Sequence, residues 1–123
     1  MPGKLLAIIG GILAVFGAFS SSCLAGDAVV ASWYGGKYIG KRTASGDIFN
    51  GRALTAAHPD LAFGTMVEVR RLDNGRAVVV RINDRCRRCD IDLSRAAADH
   101  LALRRDGRAL VAVRALPRIA QAD

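Results

Sequence analysis

Three side chains in this sequence have the chemistry to handle protons beside a substrate: Asp84, Asp47 and His58. Asp84 follows the β-branched run Val78, Val79, Val80 and Ile82, which favours an extended, buried segment. That strand is expected to stop at Asn83-Asp84, two residues that bond nearby backbone and prefer turns. Cys86 and Cys89 follow at once, in a Cys-x-x-Cys spacing. Asp84 thus sits where a rigid strand emerges into a cysteine-braced, accessible loop, a common place for functional side chains. A turn residue bonding its own backbone would look the same. Asp47 lies in the polar stretch Thr43-Ala-Ser-Gly-Asp47, where it is either a second functional carboxylate or a solvated turn residue. His58 precedes Pro59, which holds it in extended geometry. It can be a hydrogen-bonded structural histidine or present its imidazole to a substrate.

The cysteine pair has two rival readings. Zinc needs two further ligands, but His58 and His100 are the only histidines and there is no second cysteine pair. A redox motif belongs at the start of a helix in a βαβ context, whereas this one follows a strand. A structural disulfide between Cys86 and Cys89 is therefore expected, with no metal and no cofactor.

The elements that must position these groups are short strands. Val29 to Tyr34 reads as a strand stopped by Gly35-Gly36. Trp33 at its end is expected in the core; Tyr34 is either core or a flat surface for a sugar ring. Leu54 to His58 is a second strand candidate. Thr65 to Leu72 and Arg76 to Ile82 form a hairpin through Asp73-Asn74-Gly75, residues that accept positive φ. Asp92 or Ser94 can cap a helix over Arg95 to Leu103, with Ala97, His100, Leu101 and Arg104 along one face. Ala109 to Leu116 is the last strand, ended by Pro117. Such strands in a small domain suggest a compact barrel or sandwich.

The 123 residues allow one small domain. Residues 1–28 have the layout of a secretory signal, with Lys4, an apolar run from Leu5 to Phe19, and small residues before candidate cuts after Ala25 or Ala28. An uncleaved membrane anchor is the alternative. A domain over 29–117 and a polar tail over 118–123 remain. The third cysteine, Cys23, is either removed with the signal or serves as a lipid attachment point, although Ser20 stands where an aliphatic residue is usual. The net charge of +7 would suit an anionic partner such as cell wall or lipid headgroups. The arginines are scattered, and no basic tail or aromatic-interleaved patch speaks for nucleic acid. A monomer in the periplasm or cell envelope is expected.

Six stretches, taken together, carry a resemblance. Ala31-Ser-Trp-Tyr-Gly35, Thr43-Ala-Ser-Gly-Asp47, Ala53-Leu-Thr-Ala-Ala-His58, Phe63-Gly-Thr65, Val80-Arg-Ile-Asn-Asp-Arg85 and Ile91-Asp-Leu-Ser-Arg-Ala-Ala-Ala98 occur in the order of the rare lipoprotein A (RlpA) family. The resemblance implies a mainly β fold, a six-stranded double-psi β-barrel akin to barwin and expansin domains, with one short helix. It implies lytic transglycosylase activity on peptidoglycan glycan strands that lack stem peptides. Asp84 maps to the family's catalytic aspartate, Asp47 to its second acidic residue and His58 to its histidine. Thr43, Ser45, Asn83 and Arg85 in the same motifs, with Tyr34, are then expected to bind the sugar. The family usually carries glutamate where Asp47 stands and proline where Ala62 stands. After Asn-Asp-Arg it usually continues with Gly-Pro, where this chain has Cys86-Arg-Arg-Cys89, as in barwin- and expansin-like loops.

The implied chemistry can run on one carboxyl group. Asp84, protonated at the start, gives its proton to the glycosidic oxygen. It then takes one from the muramyl C6 hydroxyl as that oxygen closes a 1,6-anhydro ring. Such a role requires Arg85, Arg87 and Arg88 to point away, because nearby cations favour the charged carboxylate. Asp47 would orient the sugar or stabilise oxocarbenium charge, and His58 would hydrogen-bond the sugar or a carboxylate. The alternatives are a non-catalytic, expansin-like wall-binding module and a scaffold for protein interaction.

Overall fold

The structure, a computed structural model, describes residues 27–117. Residues 1–26 of the expected signal or anchor, with Cys23, and the polar tail lie outside the described residues. Six strands carry the described residues: β1 (Ala28–Trp33), β2 (Thr55–Ala57), β3 (Met66–Arg71), β4 (Ala77–Asp84), β5 (Ile91–Leu93) and β6 (Ala109–Ala115). A short helix, α1 (Arg95–His100), follows β5, and a 3₁₀ turn (Gly36–Tyr38) follows β1. The strands close into a barrel in the order β1-β5-β2-β4-β3-β6, with β6 returning to β1. Two of the pairings, β1 with β5 and β2 with β4, are parallel, and the others are antiparallel. Among the described residues no helix is long and apolar enough to cross a membrane.

Period-two alternation fills the barrel. Val67 and Val69 on β3, and Val78, Val80 and Ile82 on β4, are buried, whereas Val79 between them is exposed. Ile91 and Leu93 on β5 and Val111 on β6 complete the interior, each with no accessible surface. The β3–β4 hairpin turns as its sequence requires: Gly75 has φ of 73°, and its N–H donates to the Arg71 carbonyl at 2.9 Å.

Helix α1 ends at His100, three residues before the expected Leu103, and buries Ala97 and Ala98 against the barrel, with Leu101 just past its end. His100 is exposed on the helix surface. Ser94, not Asp92, is the cap: its Oγ accepts from the Ala97 N–H at 3.3 Å and donates to the Ala53 carbonyl at 2.7 Å. Arg71 reaches from β3 to the other end of the helix, donating to the carbonyls of Leu101 and Ala102 and pairing with Asp73 and Asp106.

Strand boundaries differ modestly from expectation. The second strand is confined to Thr55–Ala57, so His58 stands just past its end. The fourth runs on through Asp84 instead of stopping before it. The β5 strand, only 3 residues long, had no periodicity to reveal it. Between β2 and β4 the register slips: Ala56 faces Ile82, but Ala57 faces Asp84. Asn83 is the extra residue of a bulge, a device that re-aims the side chain after it.

Candidate active site

The slip puts four side chains in one row across the sheet. Asp84 on β4 is opposite Ala57 on β2, Ala57 is opposite Asp92 on β5, and Asp92 is opposite Ser32 on β1. Ala57 is small, so the floor between the two carboxyls stays open. The cavity above it, about 180 Å³, is lined by Tyr34, Tyr38, Ala57, Asp84, Arg85, Cys86 and Asp92.

Asp84 is held by backbone. Its Oδ1 accepts from the N–H groups of Ala44 at 2.9 Å and Arg85 at 2.8 Å. Its Oδ2 has no hydrogen-bond partner among the described residues. The nearby arginines do not pair with it. The Arg85 guanidinium stacks 4.1 Å from the centre of the Phe63 ring and donates to the His58 carbonyl. Arg87 and Arg88 are exposed. Cys86 and Cys89 form the expected disulfide, with 5.7 Å between their Cα atoms. Cys86 packs against the small cluster of Tyr34, Phe49 and Ala57.

Asp92 is the residue that sequence reasoning missed. In sequence it is one of two candidate helix caps, with Ser94, and only the barrel register places it opposite Ala57 and in the same cavity as Asp84. Burial pushes its carboxyl above the usual range; the Ser32 hydroxyl, donating at 3.1 Å, pulls it back, and the Asp84 charge pushes it further up. Tyr34 is a buried wall, not an exposed platform, with 9% of its surface accessible. Burial, then the charges of Asp84 and Asp92, drive its phenol far above the ordinary range. Its hydroxyl lies near Thr55 but makes no hydrogen bond of proper geometry. The exposed ring at the cavity is Tyr38, which meets Tyr34 edge-on at 5.6 Å.

Asp47 lies elsewhere. It lines a second cavity of about 270 Å³ with Ile48, Phe49, Thr55, Arg81 and Asn83. Arg81 approaches its Oδ2 at 3.1 Å and the Asn83 amide at 3.3 Å, and these contacts, Arg81 first, hold its carboxyl below the usual range. The rings of Tyr34 and Phe49, 4.7 Å apart, line one cavity each and form the partition. Asn83 is nearly fully buried and its Oδ1 has no partner. Thr43 and Ser45 bond each other at 3.0 Å, and the Ser45 N–H donates to the Asn83 carbonyl, so they dock this loop onto the end of β4.

His58 joins the site through its backbone, donating its N–H to the Asp84 carbonyl at 3.2 Å. Its Nδ1 accepts from the N–H groups of Asp60 and Leu61, both at 3.1 Å, and so ties the turn at Pro59. Burial lowers its pKa, the Asp60 carboxylate opposes that, and Arg85 adds to the lowering.

A closed six-stranded barrel with these two parallel pairings and a carboxylate at the end of β4 is a double-psi β-barrel. Its shape matches Streptomyces papain inhibitor with a TM-score of 0.60 and 25% identity, covering 74% of this chain and 94% of that one. Residues 27–113 match the family described as lytic transglycolase, and the chain belongs to that family. A probable endolytic peptidoglycan transglycosylase RlpA of Aquifex aeolicus is 52% identical over 80 residues, 63% of this chain and 35% of that protein. The endolytic peptidoglycan transglycosylase RlpA of Campylobacter jejuni is 44% identical over 85 residues, 67% of this chain and 31% of that protein. The chain therefore spans about a third of the length of these curated relatives.

Proposed function

We propose that this domain is an endolytic lytic transglycosylase of peptidoglycan, acting in the cell envelope on glycan strands without stem peptides. The observation that carries the reading is Asp84: one carboxylate oxygen fixed by two backbone N–H groups, the other without a partner, in a cavity on the family's barrel. The bond broken is the β-1,4 link between N-acetylmuramic acid and N-acetylglucosamine. The muramyl C6 oxygen attacks C1 and closes a 1,6-anhydro ring, and the glycosidic oxygen leaves with a proton. No water is consumed, so the reaction needs one proton delivered and one removed, where a hydrolase must also activate water. Asp84 Oδ2 is the atom that exchanges a proton with the substrate.

The neighbouring groups support this assignment in different ways. Arg85 and Tyr38 offer a cation and an exposed ring at the mouth. Asp47, ionised beside Arg81, sits across the Tyr34–Phe49 partition, so it would hold a neighbouring sugar of the strand rather than the reacting one. His58 would position Asp84 through the shared backbone contact.

Mass spectrometry of purified glycan strands, with and without stem peptides, tests the reading after incubation with the protein and with Asp84→Asn. New 1,6-anhydro-muramyl ends with the native protein only, at a rate lowered by at least about 10²-fold in the variant, are expected. Reducing ends gained by water addition would identify a hydrolase. Binding to the wall without new ends would identify an expansin-like binding module.

A further inference from the structure

The geometry points to Asp92 as the acid of the site, the carboxyl that delivers the proton to the glycosidic oxygen while Asp84 takes the proton of the C6 hydroxyl. This assignment rests on the proposed reaction and divides its two proton transfers between two residues. Asp92 and Asp84 stand in one row on either side of Ala57. Two strand spacings put their backbones about 10 Å apart, and both side chains open on one cavity. The residue between them is the smallest that keeps a side chain.

Their surroundings differ in the sense the division needs. Asp84 Oδ1 is an acceptor for two backbone N–H groups, so Asp84 is built to hold a carboxylate and to take a proton on Oδ2. Among the described residues Asp92 has no N–H donor of that kind. Its one side-chain partner is the Ser32 hydroxyl, and burial favours its neutral form. The titratable and charged groups around it are Tyr34 after β1, Tyr38 on the 3₁₀ turn, and Asp84 and Arg85 at the end of β4. The Asp84 charge itself helps keep Asp92 protonated.

The balance of the step is simple. The C1–O4 bond breaks as the Asp92 proton goes to O4, leaving oxocarbenium character at C1; the C6 oxygen then bonds C1 on the face O4 has left, and the C6 hydroxyl proton goes to Asp84. The products leave Asp84 protonated and Asp92 charged, and one proton passed back through solvent resets the pair. No oxidant, metal or co-reactant enters.

An aryl glycoside separates the two roles, because a dinitrophenolate leaves without needing a proton. Native protein, Asp92→Asn and Asp84→Asn are assayed on glycan strands and on a 2,4-dinitrophenyl β-glycoside of N-acetylmuramic acid. Asp92→Asn is expected to lose about 10²–10⁴-fold on glycan strands and to stay within about tenfold of native on the aryl substrate. Asp84→Asn is expected to lose activity on both. Asparagine matches the neutral carboxyl in shape, and a thermal melt checks that each variant is folded. As a second readout, Ser32→Ala removes the hydrogen bond that favours charged Asp92, so the alkaline limb of the native pH–rate profile should move to higher pH. Full activity of Asp92→Asn on glycan strands, or an equal loss on both substrates, overturns the acid role while leaving the lytic reaction standing. Native protein that makes no 1,6-anhydro ends overturns the reaction itself and this assignment with it.

Discussion

Removing the Cys86–Cys89 bridge should cost this protein catalysis as well as stability. The two cysteines are 3 apart in sequence, so the loop they close is very short. The chain-entropy model then gives about 2 kcal/mol of stabilisation, against about 4.7 kcal/mol for a loop of roughly 100 residues. Double replacement, Cys86→Ala with Cys89→Ala, should therefore lower the melting temperature by no more than about 8–16 °C, and the barrel should still fold. The local effect falls on the site. Cys86 lines the cavity two residues after Asp84 and packs on Tyr34, Phe49 and Ala57. The N–H of the intervening Arg85 is one of the two donors that fix Asp84 Oδ1. A misplacement of about 1 Å at a reacting group costs about 10²-fold, so a loss of about 10- to 100-fold in anhydro-end formation is expected. Thermal unfolding by circular dichroism and end counting by mass spectrometry, on the same preparation, read both quantities. A folded variant with native activity would show that the bridge does not hold Asp84, and a variant unfolded at room temperature would show that the entropy estimate misses most of its contribution.

Ser94→Ala removes a helix cap and one of the two donors to the exposed Ala53 carbonyl, which keeps the Thr55 N–H; a loss of about 1–2 kcal/mol is expected in urea unfolding. Tyr34→Phe deletes a buried hydroxyl that has no partner, so stability should be unchanged or rise by up to about 1 kcal/mol in the same measurement. His58 is held below its ordinary pKa of 6.5 by burial. Its contribution is therefore fully present above that value and is lost as the pH falls through the lower, folded one. Unfolding free energies measured from neutral pH down to about pH 5 should fall more steeply for the native protein than for His58→Asn, whose amide oxygen can still accept the two N–H groups.

The parts of this fold that depend on neighbours in sequence were legible. The Val78–Ile82 run, the Asp73-Asn74-Gly75 turn and the placement of Asp84 at a strand end all follow from local propensity, and each stands where expected. What could not be read is set by pairing between distant segments. Ile91–Leu93 is a strand because β1 and β2 flank it, not because three residues show a period. The bulge at Asn83 is invisible without the β2 partner, yet it brings Asp84 into the row of Asp92 and leaves Asn83 to line the cavity of Asp47. Motif order alone grouped Asp47 with Asp84. The Tyr34–Phe49 partition between them arises only from packing.

The closing strand sets the order in which this domain can assemble. β6 is the last strand of the described residues and pairs with both β1 and β3. Until Ala109–Ala115 is available, each of those strands has an open edge, and the parallel contact of β1 with β5 already spans about sixty positions of sequence. A ribosome releases the chain from its N-terminus, so the barrel stays unsealed until β6 emerges. That delay keeps the polypeptide threadable. It also exposes two strand edges, which other chains can join if release stalls before Ala109.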